Sequence, residues 1–151
     1  YTTRESYPFF QRYTMRSLLS ISCSLILWAS LSPLLQAAEK FELSAEEKAL
    51  LEETNKARKA EGLEALTPNE NLFKAARFHA SQMAKLDKLE HTIGESDVVK
   101  RAKDAGYEFR GLAENIAHNQ QDSKEVVKDW LNSEGHRKNM LNKDYTQIGL
   151  A

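Results

Sequence analysis

Two histidines and a few carboxylates are the side chains of this 151-residue chain best suited to chemistry. His136 stands in Trp130–Leu141, WLNSEGHRKNML, where a Trp ends one amphipathic run and Ser133-Glu134-Gly135 breaks it. His91 stands in Lys88–Thr92, KLEHT, and Glu114 with Asn115 in Gly111–Ala117, GLAENIA. The three stretches read as the walls of one cleft. Two imidazoles with one or two carboxylates can hold a divalent transition metal and leave a position open for water. The same groups can do general acid–base work. The chain has no HExxH, CxxC or GxSxG. On spacing alone, a site competes with a blander reading in which these polar residues satisfy backbone groups, and the blander reading is the commoner one.

The elements that must position these residues occupy only part of the chain. Residues 1–14 are polar and aromatic without period and read as an upstream segment. Met15-Arg16 then precede an uncharged run, Ser17–Ala38, that ends in Ala37-Ala38. A positive start, an apolar middle and a small-residue end make residues 15–38 a secretory signal peptide, cleaved near Ala38. The competing reading is an uncleaved anchor, since the run nears the ~18–20 residues that span a bilayer. From Glu39 onward, 18 Lys and Arg stand against 21 Asp and Glu, a net charge near −3. The signs are mixed along the chain, with no basic footprint for nucleic acid. The one cysteine, Cys23, lies in the leader. The remaining domain holds no disulfide, and packing must stabilise it.

Residues 39–47 form a linker and helix start, with Ser44 and Glu47 as a capping box. Leu50, Thr54 and Ala57 share one stripe of that helix, which ends at Glu61-Gly62. Asn55 and Arg58 lie one turn apart, either on a solvated edge or as partners of buried groups. Thr67-Pro68-Asn69-Glu70 reads as a second start, with Thr67 as cap and Pro68 at the first position. Leu72, Phe73, Ala76, Ala80, Met83 and Leu86 give that helix its apolar face. His79 sits on this face and reads as a core residue whose burial disfavours its charged form. Ser96 caps a short helix, Asp97–Ala105, closed by Gly106. Gly111–Ala117 reads as a strand or tight bend that turns Glu114 inward. Asp122 and Glu125 form a third capping box, followed by an apolar face of Val126, Val127, Trp130 and Leu131. Ser133 caps the next turn, which Met140-Leu141 pack down. Tyr145–Ala151 alternates toward a strand. With no closing turn after it, the domain reads as one that lacks its last strand.

Residues 48–151 resemble the CAP superfamily of cysteine-rich secretory, antigen 5 and pathogenesis-related proteins, in its bacterial SCP-like extracellular form. The resemblance is carried by LLEETNKAR (50–58), LFKAARFHASQMA (72–84), LEHT (89–92), RAKDAGY (101–107), LAENIA (112–117), VVKDWLNSEGHRKNML (126–141) and YTQIGLA (145–151). It implies an α+β fold, an α–β–α sandwich with a small antiparallel sheet between helical layers and a cleft on one side. The family cleft carries two His and two Glu. His91 matches the first His, Glu114 the Glu of the GEN motif and His136 the His of the GH motif. The sequence departs at Ala113, where the motif has Gly, and at Ser133, where the second Glu falls; Glu134 follows one residue later.

The resemblance implies a secreted or extracytoplasmic domain, in periplasm or cell envelope, with a His/Glu cleft. His91 and His136 would bind a divalent metal, zinc or copper, with Glu114 orienting a ring or a bound water. Asn115 would satisfy local backbone, and Trp130 would form the cleft floor. A lipid, glycan or peptide is the expected ligand, with no nucleic-acid partner and with membrane contact only through an uncleaved leader. The alternative is a metal-assisted or Ser/His/Glu hydrolase acting on peptides or cell-wall material, for which Ser133 lies near His136 in sequence without an evident nucleophile elbow. A purely structural envelope domain is the third reading.

Overall fold

The computed structural model describes residues 40–151. The upstream segment and the leader expected over 1–38 lie outside the described residues. Seven elements follow in order: α1 (Ala45–Ala60), β1 (Thr67–Pro68), α2 (Glu70–Leu86), α3 (Val98–Asp104), α4 (Ser123–Asn132), α5 (Glu134–Met140) and β2 (Gln147–Ile148).

Helix α1 starts where the sequence places it. The Ser44 hydroxyl accepts from the Glu47 N–H, and the Glu47 carboxylate accepts from the Ser44 N–H at 2.8 Å. Two orphan donors of the first turn are thereby met. The Glu47 carboxylate also receives both Nε and Nη2 of Arg77 from α2, each at 2.6 Å. That fork ties α1 to α2 and holds the Glu47 carboxyl below the usual carboxylate range. Phe41 and Phe73 meet edge to face beneath the Arg77 guanidinium.

The second helix begins two residues later than Thr67 would have it. Asn69 is the cap, its side chain accepting from the Asn71 and Leu72 N–H groups. Thr67 and Pro68 are extended and pair in parallel with Gln147 and Ile148. The Thr67 N–H and hydroxyl both donate to the Thr146 carbonyl, which holds the residue in the strand. One further start shifts by a single residue. Asp97, one residue after Ser96, caps α3. Ser133 precedes α5 but makes no side-chain cap bond. At α4, Asp122 caps as expected, while Glu125 reaches past it to the Gln121 N–H.

Helices α1, α4 and α5 pack as one group and α2 with α3 as another. Val127, Trp130 and Met140 are the centre of the first, with Leu50, Ala57 and Leu131 against them. Burial of such side chains stabilises by roughly 1.5–3 kcal/mol each. Phe73 and Ala102 are buried in the second group. Strands β1 and β2 connect residues some eighty positions apart, and this two-stranded parallel pair is the sheet found among the described residues. The α+β architecture is therefore present, and among the described residues the sheet is a parallel pair rather than the expected antiparallel one. Gly111–Ala117, which would supply a strand, has no backbone–backbone hydrogen bond to another described residue.

Two side chains of α1 settle the ambiguity of its polar edge. Asn55 accepts from the Leu66 N–H at 2.7 Å and donates to the Leu66 carbonyl at 3.0 Å, pinning the chain before β1. Arg58 is 1 % exposed. Its guanidinium donates to the carbonyls of Glu64, Met140, Asn142 and Tyr145. Glu64 follows α1 and the other three close the end of α5 and the loop into β2, so one cation ties the end of α1 to the end of α5. Burial pulls its pKa down, and carbonyl dipoles carry the charge.

Candidate functional site

Gly111–His118 runs without helix, turn or bend between the two helical groups. Side chains from α4 and α5 hold it from one side. Trp130 Nε1 donates to the Ile116 carbonyl at 3.3 Å and Asn139 Nδ2 to the Glu114 carbonyl at 3.4 Å. Asn139 also donates to Asn115 Oδ1 at 2.9 Å, and Asn115 Nδ2 donates to the His136 carbonyl at 3.0 Å. Asn115 thus satisfies a backbone carbonyl of α5, 21 residues along the chain.

Glu114 turns away from α5 toward α2 and α3, with its side chain 16 % exposed. Arg101 of α3, its side chain 2 % exposed, donates to Oε2 at 2.5 Å. The same guanidinium donates to the His91 and Ser96 carbonyls, at 3.1 and 2.6 Å. That draws the loop after α2 over the carboxylate. His91 Nδ1 then lies 2.9 Å from Glu114 Oε1, with the ring more than half exposed. His79 of α2 approaches Oε1 from within. Its Nε2 stands 3.8 Å away and is buried without a hydrogen-bond partner among the described residues. Burial first, then the Arg101 charge, pushes His79 below the usual imidazole range; Glu114 and the Glu90 backbone carbonyl oppose this.

A carboxylate between two imidazoles is thus present, but the inner ring is His79. His136 is half-buried and lines a separate recess of about 270 Å³ with Leu89, Ile116, Trp130 and Ser133. Among the described residues Ser133 has no side-chain hydrogen bond to His136, and Glu134 is exposed on the first turn of α5. Trp130 is shared, lining both this recess and a larger groove. The groove has a volume of about 990 Å³. Ala76, Ala80 and Met83 of α2 line it, with Gly111–Ala117 and the end of the chain, and the Glu114–His79–Arg101 cluster.

Among the described residues, no three or more His, Cys, Asp or Glu side chains gather as a ligand set. Both Glu114 oxygens are engaged, one by a guanidinium whose charge opposes a second cation. As arranged, the cluster does not fit such an ion, and no chemical step is derived through one.

The profile of the cysteine-rich secretory protein family, CAP, matches residues 51–151. The chain belongs to the CAP family. Its relatives include YkwD of Bacillus subtilis (strain 168), 40 % identical over 112 residues, covering 72 % of this chain and 43 % of YkwD. The membrane protein YlbC of the same organism is 36 % identical over 106 residues, covering 70 % of this chain and 31 % of YlbC. The chain therefore spans less than half the length of these curated relatives. An outer surface protein of Borrelia burgdorferi superposes with a TM-score of 0.66 at 26 % identity, covering 73 % of this chain and 82 % of that one. An extracellular protein of Bacillus anthracis containing an SCP domain gives 0.64 at 27 % identity, covering 73 % of this chain and 40 % of that one. This CAP domain shares its α+β fold with bacterial proteins described as extracellular or outer-surface.

Two residues of the cluster are not among those chosen from sequence. His79 was assigned to the apolar face, where a lone ring has no visible partner. Arg101 lies in RAKDAGY, a stretch that marks the family without marking a cleft. The available signal was that each is the polar exception on an otherwise packed face.

Proposed function

We propose that this CAP domain is an extracytoplasmic binding module whose ligand, a lipid, glycan or peptide, occupies the groove between α2 and Gly111–Ala117. The observation that supports this best is the groove itself. It has an apolar floor and one cluster of polar groups. The extracellular and outer-surface relatives support the location, and so does the leader reading of Ser17–Ala38. The metal expected on His91 and His136 finds no set of three ligands among the described residues, so the arrangement favours an organic ligand.

The hydrolase reading needs a nucleophile with a base in reach. Ser133 and His136 share a recess without bonding to each other, which favours binding over catalysis. The test is titration with anilinonaphthalene sulfonate, an apolar anionic dye. Saturable one-to-one binding is expected, and Ala80→Trp, which fills the groove floor, should weaken it at least tenfold with the circular dichroism spectrum unchanged. Equal binding by the variant would place the dye elsewhere and overturn the groove as the site. Turnover of a peptide library or of peptidoglycan fragments, lost in Ser133→Ala and His136→Ala, would overturn the binding reading in favour of hydrolysis.

A further inference from the structure

We infer that Arg101 is the resident cation of the cleft cluster, a positioning residue that fixes the ring, the tautomer and the main chain of His91 without a metal ion. The inference does not depend on what occupies the groove.

The first observation is a closed circuit of hydrogen bonds. Arg101 Nη2 donates to Glu114 Oε2 at 2.5 Å, and Nη1 donates to the His91 carbonyl at 3.1 Å. Glu114 Oε1 lies 2.9 Å from His91 Nδ1. One guanidinium therefore reaches His91 twice, through its main chain and through the carboxylate that holds its ring. Nη1 also donates to the Ser96 carbonyl at 2.6 Å, which fastens the far end of the same loop. Ile93 and Ser96 pair with each other across the turn between them. Only a planar fork of donors can hold a carboxylate and two carbonyls at once; an ammonium on a flexible stem cannot.

The second observation is where the charge lies. The Arg101 and Glu114 side chains are enclosed, while the His91 ring is more than half exposed. A buried ion pair is costly to build unless its bonds are complete, and here the pair supports one surface imidazole. A neutral imidazole carries its proton on either nitrogen, and its partners decide which. Glu114, ionised against Arg101, can only accept. The His91 proton is therefore held on Nδ1, and Nε2 keeps its lone pair. A metal on Nε2 would leave a carboxylate-backed imidazole in the same tautomer. Here the carboxylate is itself backed by a guanidinium, so the state exists before any ion arrives. Both Glu114 oxygens are already engaged, and the described residues gather no set of three ligands. His91 thereby offers a fixed acceptor nitrogen to a ligand's hydroxyl, amide or ammonium group.

The test uses the full chain with isotope-labelled histidine. Nitrogen NMR at pH 8 reads the tautomer of each ring, and His91→Gln assigns the signal. His91 should carry its proton on Nδ1, unchanged by EDTA treatment or by equimolar zinc. Arg101→Met should give a mixture of tautomers and speed amide exchange across Lys88–Ser96 at least tenfold. Arg101→Lys keeps a charge beside Glu114 without the fork. It should retain the Nδ1 proton while recovering less than half of the exchange protection, and it serves as the variant should Met unfold the protein. An arginine that only packed would alter exchange and leave the tautomer alone. A His91 ring that changes tautomer when EDTA is added, or shifts saturably with zinc, would overturn the inference in favour of a metal. An unchanged Nδ1 signal in folded Arg101→Met would overturn it in favour of Glu114 acting alone. None of these outcomes alters the dye titration, so the groove reading stands or falls separately.

Discussion

His79 Nε2 and Glu114 Oε1 face each other at 3.8 Å, the ring buried and that nitrogen without a hydrogen-bond partner among the described residues. The pair is too far apart to bond directly and too enclosed to be hydrated like a surface pair. It makes stability depend on pH in a window of its own. The unfolded chain takes up a proton on His79 near ~6.5. Burial and Arg101 keep the folded ring neutral to lower pH. Between those two values the unfolded state binds more protons, so stability is full above about 6.5 and declines as pH falls toward the folded value. Urea midpoints measured from pH 8 to pH 5 should fall, and His79→Gln should flatten that decline. An unchanged slope would assign it to other groups.

Glu47 works in a different window. Its carboxyl is lowered chiefly by the Arg77 fork, so its contribution is complete above 4.5 and is lost as pH drops below that. Glu47→Gln should cost about 1–2 kcal/mol at pH 7, discounted for the partly exposed Arg77. The difference between wild type and variant should shrink below pH 4.5. A constant difference down to pH 3 would show that packing, not charge, carries the effect.

Arg58 is the residue whose loss should matter most to the fold. Its four carbonyl partners lie in two distant stretches, at Glu64 and within 140–145, and the side chain is almost wholly enclosed. Arg58→Ala leaves those carbonyls unmet and a void, and should cost at least about 3 kcal/mol. Arg58→Lys keeps the charge but cannot reproduce the planar fork, and should recover less than half of that. Chemical denaturation of the three proteins checks both figures.

These residues also mark how far sequence reaches. Capping pairs such as Ser44 with Glu47 are local and appear in the folded chain as read. The apolar stripe through Val127 and Trp130 is also local, and it became the core. The shifted start of α2 was not legible, because Thr67 is claimed by Thr146, a partner 79 residues away. The site divides in the same way. Glu114 and His91 do meet, but the choice between His79 and His136 as the inner ring depends on where α2 and α5 dock. Arg101 was hidden because its partners, His91, Ser96 and Glu114, are assembled by a loop rather than by a helical period.

Gly149 tests the docking of the chain's end against α2. A Cβ built there would lie 2.1 Å from the Leu72 carbonyl carbon and 2.5 Å from the Phe73 nitrogen. Both are helix backbone, which cannot swing aside as a side chain can. Gly149→Ala must therefore push β2 off α2, weakening its pairing with β1 and the burial of Leu150. A destabilisation of about 3 kcal/mol is expected, at the upper end of overpacking changes. Gly62 supplies the contrast. It has φ +72° and open space around it, so Gly62→Ala should cost only the left-handed backbone term of about 1–2 kcal/mol. If thermal or urea unfolding ranked Gly62→Ala as the more damaging change, the close approach of β2 to α2 would be wrong. The wall of the groove formed by Gln147–Ala151 would then have to be redrawn.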